Sequence, residues 1–477
     1  MAGSLVIATQ VPPAPTPRPV LLISDPYLDR IARPFARVMR MVSGGSDPGS
    51  LSGRAAQSGV WIGGGFVIQR VLQLGSNLIL TRLLFPEAFG LMALATIFLV
   101  GLAMFSDLGI KPAIIRDPRG NDPDFLNTAW TLQVIRGFIL FAGGCLIAYP
   151  VSLFYEQPIL FPLLLVLSTT SAIAGFQSIR MITAERDLKF RLVIAVQLIG
   201  QAVTVVTLVG LAYFWQSIWA LAAGNVVGNI AGVTLSHVLL RGQRHRFRLE
   251  PEATRSIIHF GKSIFLSTIV TFLGGEGLRA IQGSYVTPAE FGVLAVAYTI
   301  SAIPAELALK LTGSIGLPAL SEAYRSSPDR MASVLHQFRK RLLGVSFVMI
   351  AAVAFVSEPL IELLYDSRYH DAGGYVVALV LANGMALVFT GYLNALVAAG
   401  RSKSYMIFMT VVAVSRILGL TIGFKFSGIY GMIVGVGIAN FFVLVVSWIN
   451  MYRYKFINIK LDIVSVIVIL LISIWFL

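Results

Sequence analysis

Pro86-Glu-Ala-Phe-Gly-Leu-Met-Ala-Leu-Ala95 recurs 202 residues later as Pro288-Ala-Glu-Phe-Gly-Val-Leu-Ala-Val-Ala297. A second pair follows in the same order at an offset of 211: Ile218-Trp-Ala-Leu-Ala-Ala-Gly224 with Asn229, then Ile429-Tyr-Gly-Met-Ile-Val-Gly435 with Asn440. Self-similarity in a fixed order marks an internal duplication. Each copy of the first motif lies between the first two apolar runs of what reads as a six-helix half. Six is an even number, so both halves enter a membrane from the same side and the repeat is parallel, enclosing a central cavity.

The composition around these motifs supports a membrane setting. Of 477 residues, 56% are hydrophobic and 13% charged, with a mean hydropathy of +0.80, far from a soluble domain. Apolar runs able to cross roughly 30 Å of hydrocarbon as helices of about 20 residues recur from Gln57 onward. They fall near 57–83, 90–111, 127–150, 158–179, 190–213, 216–240, 262–285, 291–314, 341–360, 375–398, 405–424, 428–449 and 461–477, the last short. The expected fold is all-α: a polytopic membrane protein of about 12–14 helices in two parallel-repeat halves. The expected divisions are a basic arm over 1–56, halves over 57–249 and 250–456, and an additional segment over 457–477.

Lys and Arg test this map, because they gather on one side of a membrane. Six lie in the arm before the first span, and the loops after spans two, four, six, eight, ten and twelve bring the total on that side to 29 of the 37. Only Arg82, Arg368 and Lys425 fall on the other. The arm and even-numbered loops are therefore expected in the cytoplasm. The formal charge of +14 follows from this asymmetry, and no nucleic-acid partner is expected. Within the arm, Val11–Pro19 is proline-rich and reads as disordered, and Leu28, Ile31 and Phe35 alternate with Arg30, Arg33 and Arg37 as in a helix on anionic lipid. The single cysteine, Cys145, excludes an internal disulfide, and the five histidines lack metal-ligand spacing, so neither metal nor cofactor is expected.

Charges inside spans are the strongest pointers to function, because each costs at least about 2.5 kcal/mol to place in lipid. Five are basic: Arg70, Arg136, Arg279, Lys310 and Arg416. The acids are Glu276, Glu306 and, near the end of span two, Asp107. Glu276 with Arg279 and Glu306 with Lys310 have the spacing of helical ion pairs. Arg70 and Arg416 lie near the middle of their spans, where snorkelling is hardest, so they are expected to face a wet or anionic cavity. Arginine's forked donors suit phosphate oxygens. Glu276 and Glu306 are candidates for ion coupling.

Several stretches resemble a known family. Thr81-Arg-Leu-Leu-Phe-Pro-Glu-Ala-Phe-Gly90, Phe105-Ser-Asp-Leu-Gly-Ile-Lys-Pro-Ala-Ile-Ile-Arg116 and Leu126-Asn-Thr-Ala-Trp130 are similar to the opening helices of polysaccharide transporter family flippases. Leu363-Leu-Tyr-Asp-Ser-Arg-Tyr-His-Asp-Ala372 and Leu393-Asn-Ala-Leu-Val-Ala-Ala-Gly-Arg401 resemble that family's second half. The resemblance implies a bacterial inner-membrane protein of the multidrug, oligosaccharidyl-lipid and polysaccharide exporter superfamily. Such proteins flip undecaprenyl-pyrophosphate-linked oligosaccharides for O-antigen, capsule or exopolysaccharide assembly, beside membrane lipids and polysaccharide polymerase machinery. By resemblance to lipid II flippases, Arg70 and Arg279 sit in helices comparable to those whose arginines meet pyrophosphate.

The leading expectation is thus an alternating-access flippase and not an enzyme, with Arg70, Arg279, Arg136, Arg416 and Lys310 as candidate pyrophosphate ligands. A cation-coupled multidrug antiporter of the same superfamily would need acids to outnumber bases in the cavity, and the intramembrane count runs the other way. A membrane polysaccharide polymerase would need a sizeable outer catalytic loop, and the longest outer loop, around Glu358 to Gly374, is short.

Overall fold

The computed structural model describes residues 51–187, 189–240, 242, 245–453 and 456–476. The basic arm before Leu51, with its proline-rich stretch and basic helix, lies outside the described residues, as do Arg241, Arg244 and Lys455. Two compact units divide after Gly64. The first is described only over residues 51–64, which begin helix α1 (Leu51–Leu83). Everything that follows concerns the second unit, Gly65 to Leu477.

Helices follow in the order α2 (Pro86–Phe105), α3 (Ile110–Arg116), α4 (Pro123–Phe154), α5 (Leu160–Gly175), α6 (Arg180–Arg186), α7 (Phe190–Trp215) and α8 (Ile218–Val238). The second half runs α9 (Pro251–Gly274), α10 (Glu276–Gly283), α11 (Pro288–Ser301), α12 (Ile303–Leu311), a π-turn at Thr312–Gly316, α13 (Leu317–Ser326), α14 (Pro328–Leu364), α15 (Ala372–Ala398), α16 (Ser402–Arg453) and α17 (Ile459–Phe476). Each of the thirteen expected spans falls on one of these helices or a bent pair. Eight helices among the described residues are long and apolar enough to cross a membrane, and ten when the bent pairs α5–α6 (59°) and α11–α12 (43°) count as spans. As a straight rod, α16 with its 52 residues would reach about 78 Å. It is broken at Ser427 and Gly428, where φ is +55° at the glycine, and so holds two expected spans. Helices α1 and the α9–α10 pair carry Arg70, Glu276 and Arg279.

The duplicated motif finds its physical reason where α2 crosses α11. A Cβ on Gly90 would fall inside the carbonyl oxygen of Pro288, and a Cβ on Gly292 inside that of Pro86. The contact is reciprocal, as a parallel repeat requires at its two-fold axis. Only hydrogen at both positions lets the backbones meet, the small-residue packing that joins membrane helices. Around the crossing, Leu94, Ala95, Leu294 and Ala297 are buried, and α15 packs beside it, apolar on nearly all sides.

At one end the loops after the second, fourth and sixth expected spans meet. Lys111 pairs with Glu185 at 2.5 Å, Arg186 donates to the Ile114 carbonyl at 2.6 Å, and Arg119 bridges Asp122 and Glu250 at 2.8 and 2.6 Å. The link between the halves runs extended here, its N–H groups at Arg246, Arg248 and Glu250 donating to the side chains of Asn127, Thr131 and Thr128, each at 3.0 Å. His245 stacks on Trp130 with centroids 5.3 Å apart and shares a hydrogen bond of 2.9 Å with Ser178. Burial, with the charges of Arg180 and His237, pushes its imidazole down to about 4. Arg339, expected in a basic loop, is instead buried inside α14, 1% exposed, where it pairs at 2.5 Å with the buried Asp462 of α17. Asp462 also accepts from Tyr392 and Trp448 at 2.7 and 2.8 Å, so both of its oxygens are matched and α17 is fixed to the second half. A run of Arg339, Lys340 and Arg341 looks like a loop because only one member of it turns inward.

Two outcomes are expected. Gly90→Ala and Gly292→Ala should each destabilise the protein by about 1–3 kcal/mol, the usual overpacking cost, read as a lowered melting temperature in detergent; unchanged melting would refute the crossing. An unfolded His245 takes up its proton below about pH 6.5, whereas the folded one stays neutral until about 4. Folding stability should therefore decline as pH falls through that window, and His245→Phe should flatten the decline in melting temperature between about pH 7 and pH 5; an unchanged slope would contradict the assignment.

Candidate functional site

Beside the crossing lies a cavity of about 870 Å³, within the span of ligand sites. Helix α1 supplies Phe66, Gln69, Arg70, Gln73, Asn77 and Leu80, whose spacings of three and four place them on one helical face. From the other half, the chain breaks at Gly275 (φ −123°, ψ −94°), which starts α10 at Glu276 and brings Arg279 round one turn later. Pro304 has no N–H to continue the ladder of α11, and the resulting bend turns α12, with Glu306 and Lys310, toward α1.

Three cations and two carboxylates thus surround one space. Arg70 forms an ion pair with Glu306 and donates to Gln73 Oε1 at 2.6 Å. Arg279 pairs with Glu276 at 3.3 Å, its guanidinium 4.6 Å from the Tyr298 ring centroid. Lys310 Nζ lies 3.9 Å from the centroid of Phe66, with the Arg70 guanidinium 5.3 Å from the same ring. The cations therefore rest on aromatic faces, an environment that holds charge in place. Their guanidinium and ammonium groups suit the oxygens of a phosphate.

Of the residues singled out in the sequence, Arg70, Arg279, Lys310, Glu276 and Glu306 line this cavity. Glu306 reaches Arg70 across the two halves. Arg136 lies elsewhere: its Nε donates to Ser106 Oγ at 3.1 Å and its Nη2 to the Ala103 carbonyl at 2.7 Å, closing the C-terminal end of α2. Arg416 also lies outside. It donates at 2.9 Å to the Gly274 carbonyl, which the break at Gly275 exposes, and at 2.8 Å to Asn440, whose amide in turn donates to Ala382. An irregular backbone at membrane depth needs such a partner, so Arg416 is bound to the broken helix, in a small neighbouring pocket that shares Arg279 and Tyr298 with the cavity. Sequence reasoning overlooked the neutral amides of the wall, Gln69, Gln73, Asn77, Gln201 and Asn225; the i, i+4 spacing of the first three inside an apolar span was the available signal.

At the end away from the basic loops, the halves exchange hydrogen bonds. Arg82 donates to the Leu364 carbonyl at 3.2 Å and Arg368 to that of Thr81 at 3.4 Å. Arg368 is held by Asp366 at 2.7 Å, and its guanidinium keeps that carboxyl below the usual range. Two of the three basic residues on the sparsely charged side are therefore fasteners between halves.

These features define a class: a multi-pass membrane protein with a charged cavity where two repeated halves cross. Solved structures of similar fold include a lipid flippase and a multidrug transporter. The inward closed conformation of the lipid II flippase MurJ aligns at a TM-score of 0.69 with 14% identity, covering 86% of this chain and 91% of that one. An inward-facing multidrug resistance MATE family transporter of the MOP superfamily aligns at 0.64 with 13% identity, over 81% and 94%. The sequence profile of the polysaccharide biosynthesis protein family matches residues 79–373, and the chain belongs to that family. A curated relative, the succinoglycan biosynthesis transport protein ExoT of Rhizobium meliloti (strain 1021), is 21% identical over 311 residues, 64% of this chain and 62% of the relative. The matched region thus spans less than two thirds of that protein.

Proposed function

We propose that this protein is an alternating-access flippase of the bacterial inner membrane, with its N-terminus in the cytoplasm, moving undecaprenyl-pyrophosphate-linked oligosaccharides for exopolysaccharide, capsule or O-antigen assembly. The observation that carries the proposal is the meeting of Arg70 from the first half with Arg279 and Lys310 from the second around one cavity. A pyrophosphate there contacts both halves at once, so that binding it is coupled to their relative position. The lipid tail stays in the bilayer while the headgroup crosses. Family membership, the fold shared with a lipid II flippase and the excess of cations support this reading. The two carboxylates are each paired with an arginine, which disfavours capture of a cationic drug and places ion coupling by Glu276 or Glu306 second to charge balance. Polysaccharide polymerase machinery is the natural recipient of the product.

In proteoliposomes, the protein should accelerate transbilayer movement of a fluorescent polyprenyl-pyrophosphate oligosaccharide. Arg70→Gln and Arg279→Gln should each slow it by at least about tenfold, the loss of one charge-assisted contact, with unchanged melting temperature. Normal movement by both variants would refute the pyrophosphate assignment, and cationic-dye transport by the wild type in its place would favour an antiporter.

A further inference from the structure

The cavity has two chemically unlike walls. Apart from Arg70, every charged residue lining it belongs to the second half; all five of its amide side chains belong to the first. The ionic wall is accounted for by a pyrophosphate. The amide wall is not.

Its hydrogen bonds show what it has left to offer. Gln201 Nε2 donates to the Gln69 carbonyl at 3.0 Å, Asn225 Nδ2 to the Leu221 carbonyl at 2.9 Å, and Thr204 Oγ1 to the Gly200 carbonyl at 2.9 Å. In each case one N–H or O–H is committed to the backbone, and among the described residues no donor meets the side-chain oxygen. Phosphate oxygens are acceptors too and cannot use these oxygens. A hydroxyl brings a donor, which is what these oxygens lack. Gln73 complements them: its Oε1 is taken by Arg70 at 2.6 Å, so its amide N–H groups remain for a hydroxyl oxygen. Asn77 lines the same face and makes no side-chain hydrogen bond among the described residues.

From this we infer that the amide wall is a saccharide subsite, which takes the neutral hydroxyls of a hexose joined to the pyrophosphate held by Arg70, Arg279 and Lys310. The inference rests on the flippase reading above and extends it from the anion to the sugar. It gives the two halves different tasks: one grips the charge common to every lipid-linked glycan, and the other reads the sugar attached to it. Sites built to hydrogen-bond hydroxyls discriminate strongly, since a ligand without them leaves polar groups unpaired.

The test measures binding of two probes, undecaprenyl pyrophosphate and undecaprenyl pyrophosphoryl glucose, to the full-length protein in nanodiscs. Wild type should bind the glucosylated lipid more tightly. Gln201→Met with Asn225→Leu should weaken the glucosylated lipid by about tenfold while leaving the sugar-free lipid within about twofold. Asn77→Ala, which breaks no helix-backbone bond, should shift the same preference in the same direction, whereas Arg70→Gln should weaken both lipids alike. A wild type with equal affinity for the two lipids, or amide variants that weaken both equally, would overturn the subsite and leave the flippase reading standing. A wild type that binds neither lipid would overturn both.

Discussion

Everything in this protein is arranged around a backbone contact that permits no side chain. Gly90 and Gly292 each lie against the opening turn of the other's helix, so α2 and α11 touch at a distance no other residue would allow. In lipid there is little hydrophobic drive between helices, and packing this close is a main source of association. The contact also sets where the cavity falls, because α1 and the bent pair α11–α12 flank it. A two-fold contact can pivot while remaining packed, which suits the rocking of two halves that the proposed function requires.

Within the cavity, ion pairs stand where a substrate's charge is proposed to go. Glu306 occupies Arg70, and Glu276 occupies Arg279. These side chains are 19–37% exposed, so water still reaches a charge left without its partner, and the pairs serve charge balance more than stability. Under the proposed function an arriving pyrophosphate competes with them for the same guanidinium groups. Glu306 would then be released when substrate binds and return to Arg70 when it leaves, joining the halves in the unloaded state. The fasteners at Arg82 and Arg368 use neutral carbonyls as acceptors, so they can part without stranding a carboxylate.

Much of this was legible in the sequence. Apolar length gave the thirteen helical segments, the alternation of basic residues placed Lys111, Arg119 and Arg186 at one end and Arg82 and Arg368 at the other, and the duplicated Phe-Gly motif marked the crossing. Less legible was what each intramembrane charge meets. Arg136 and Arg416 look like Arg70 along the chain, but they close helix ends opened at Ser106 and Gly275, and a helix break inside an apolar run has no strong sequence signal. Local spacing suggested Glu306 with Lys310, whereas the bend at Pro304 turns the carboxylate toward a helix 236 positions away in sequence. Asp462 sits at the start of the last apolar run and gives no hint of Arg339, because partners that distant are specified only by the fold. The amides were passed over because they carry no charge.

The most direct test of the proposed anion site is to see where a pyrophosphate rests. An electron cryomicroscopy map of the protein in nanodiscs with undecaprenyl pyrophosphate should show the diphosphate within hydrogen-bonding distance of Arg70 and Arg279, with Glu306 withdrawn from Arg70. A diphosphate bound elsewhere, or a cavity in which the Arg70–Glu306 pair persists at saturating lipid, would contradict it.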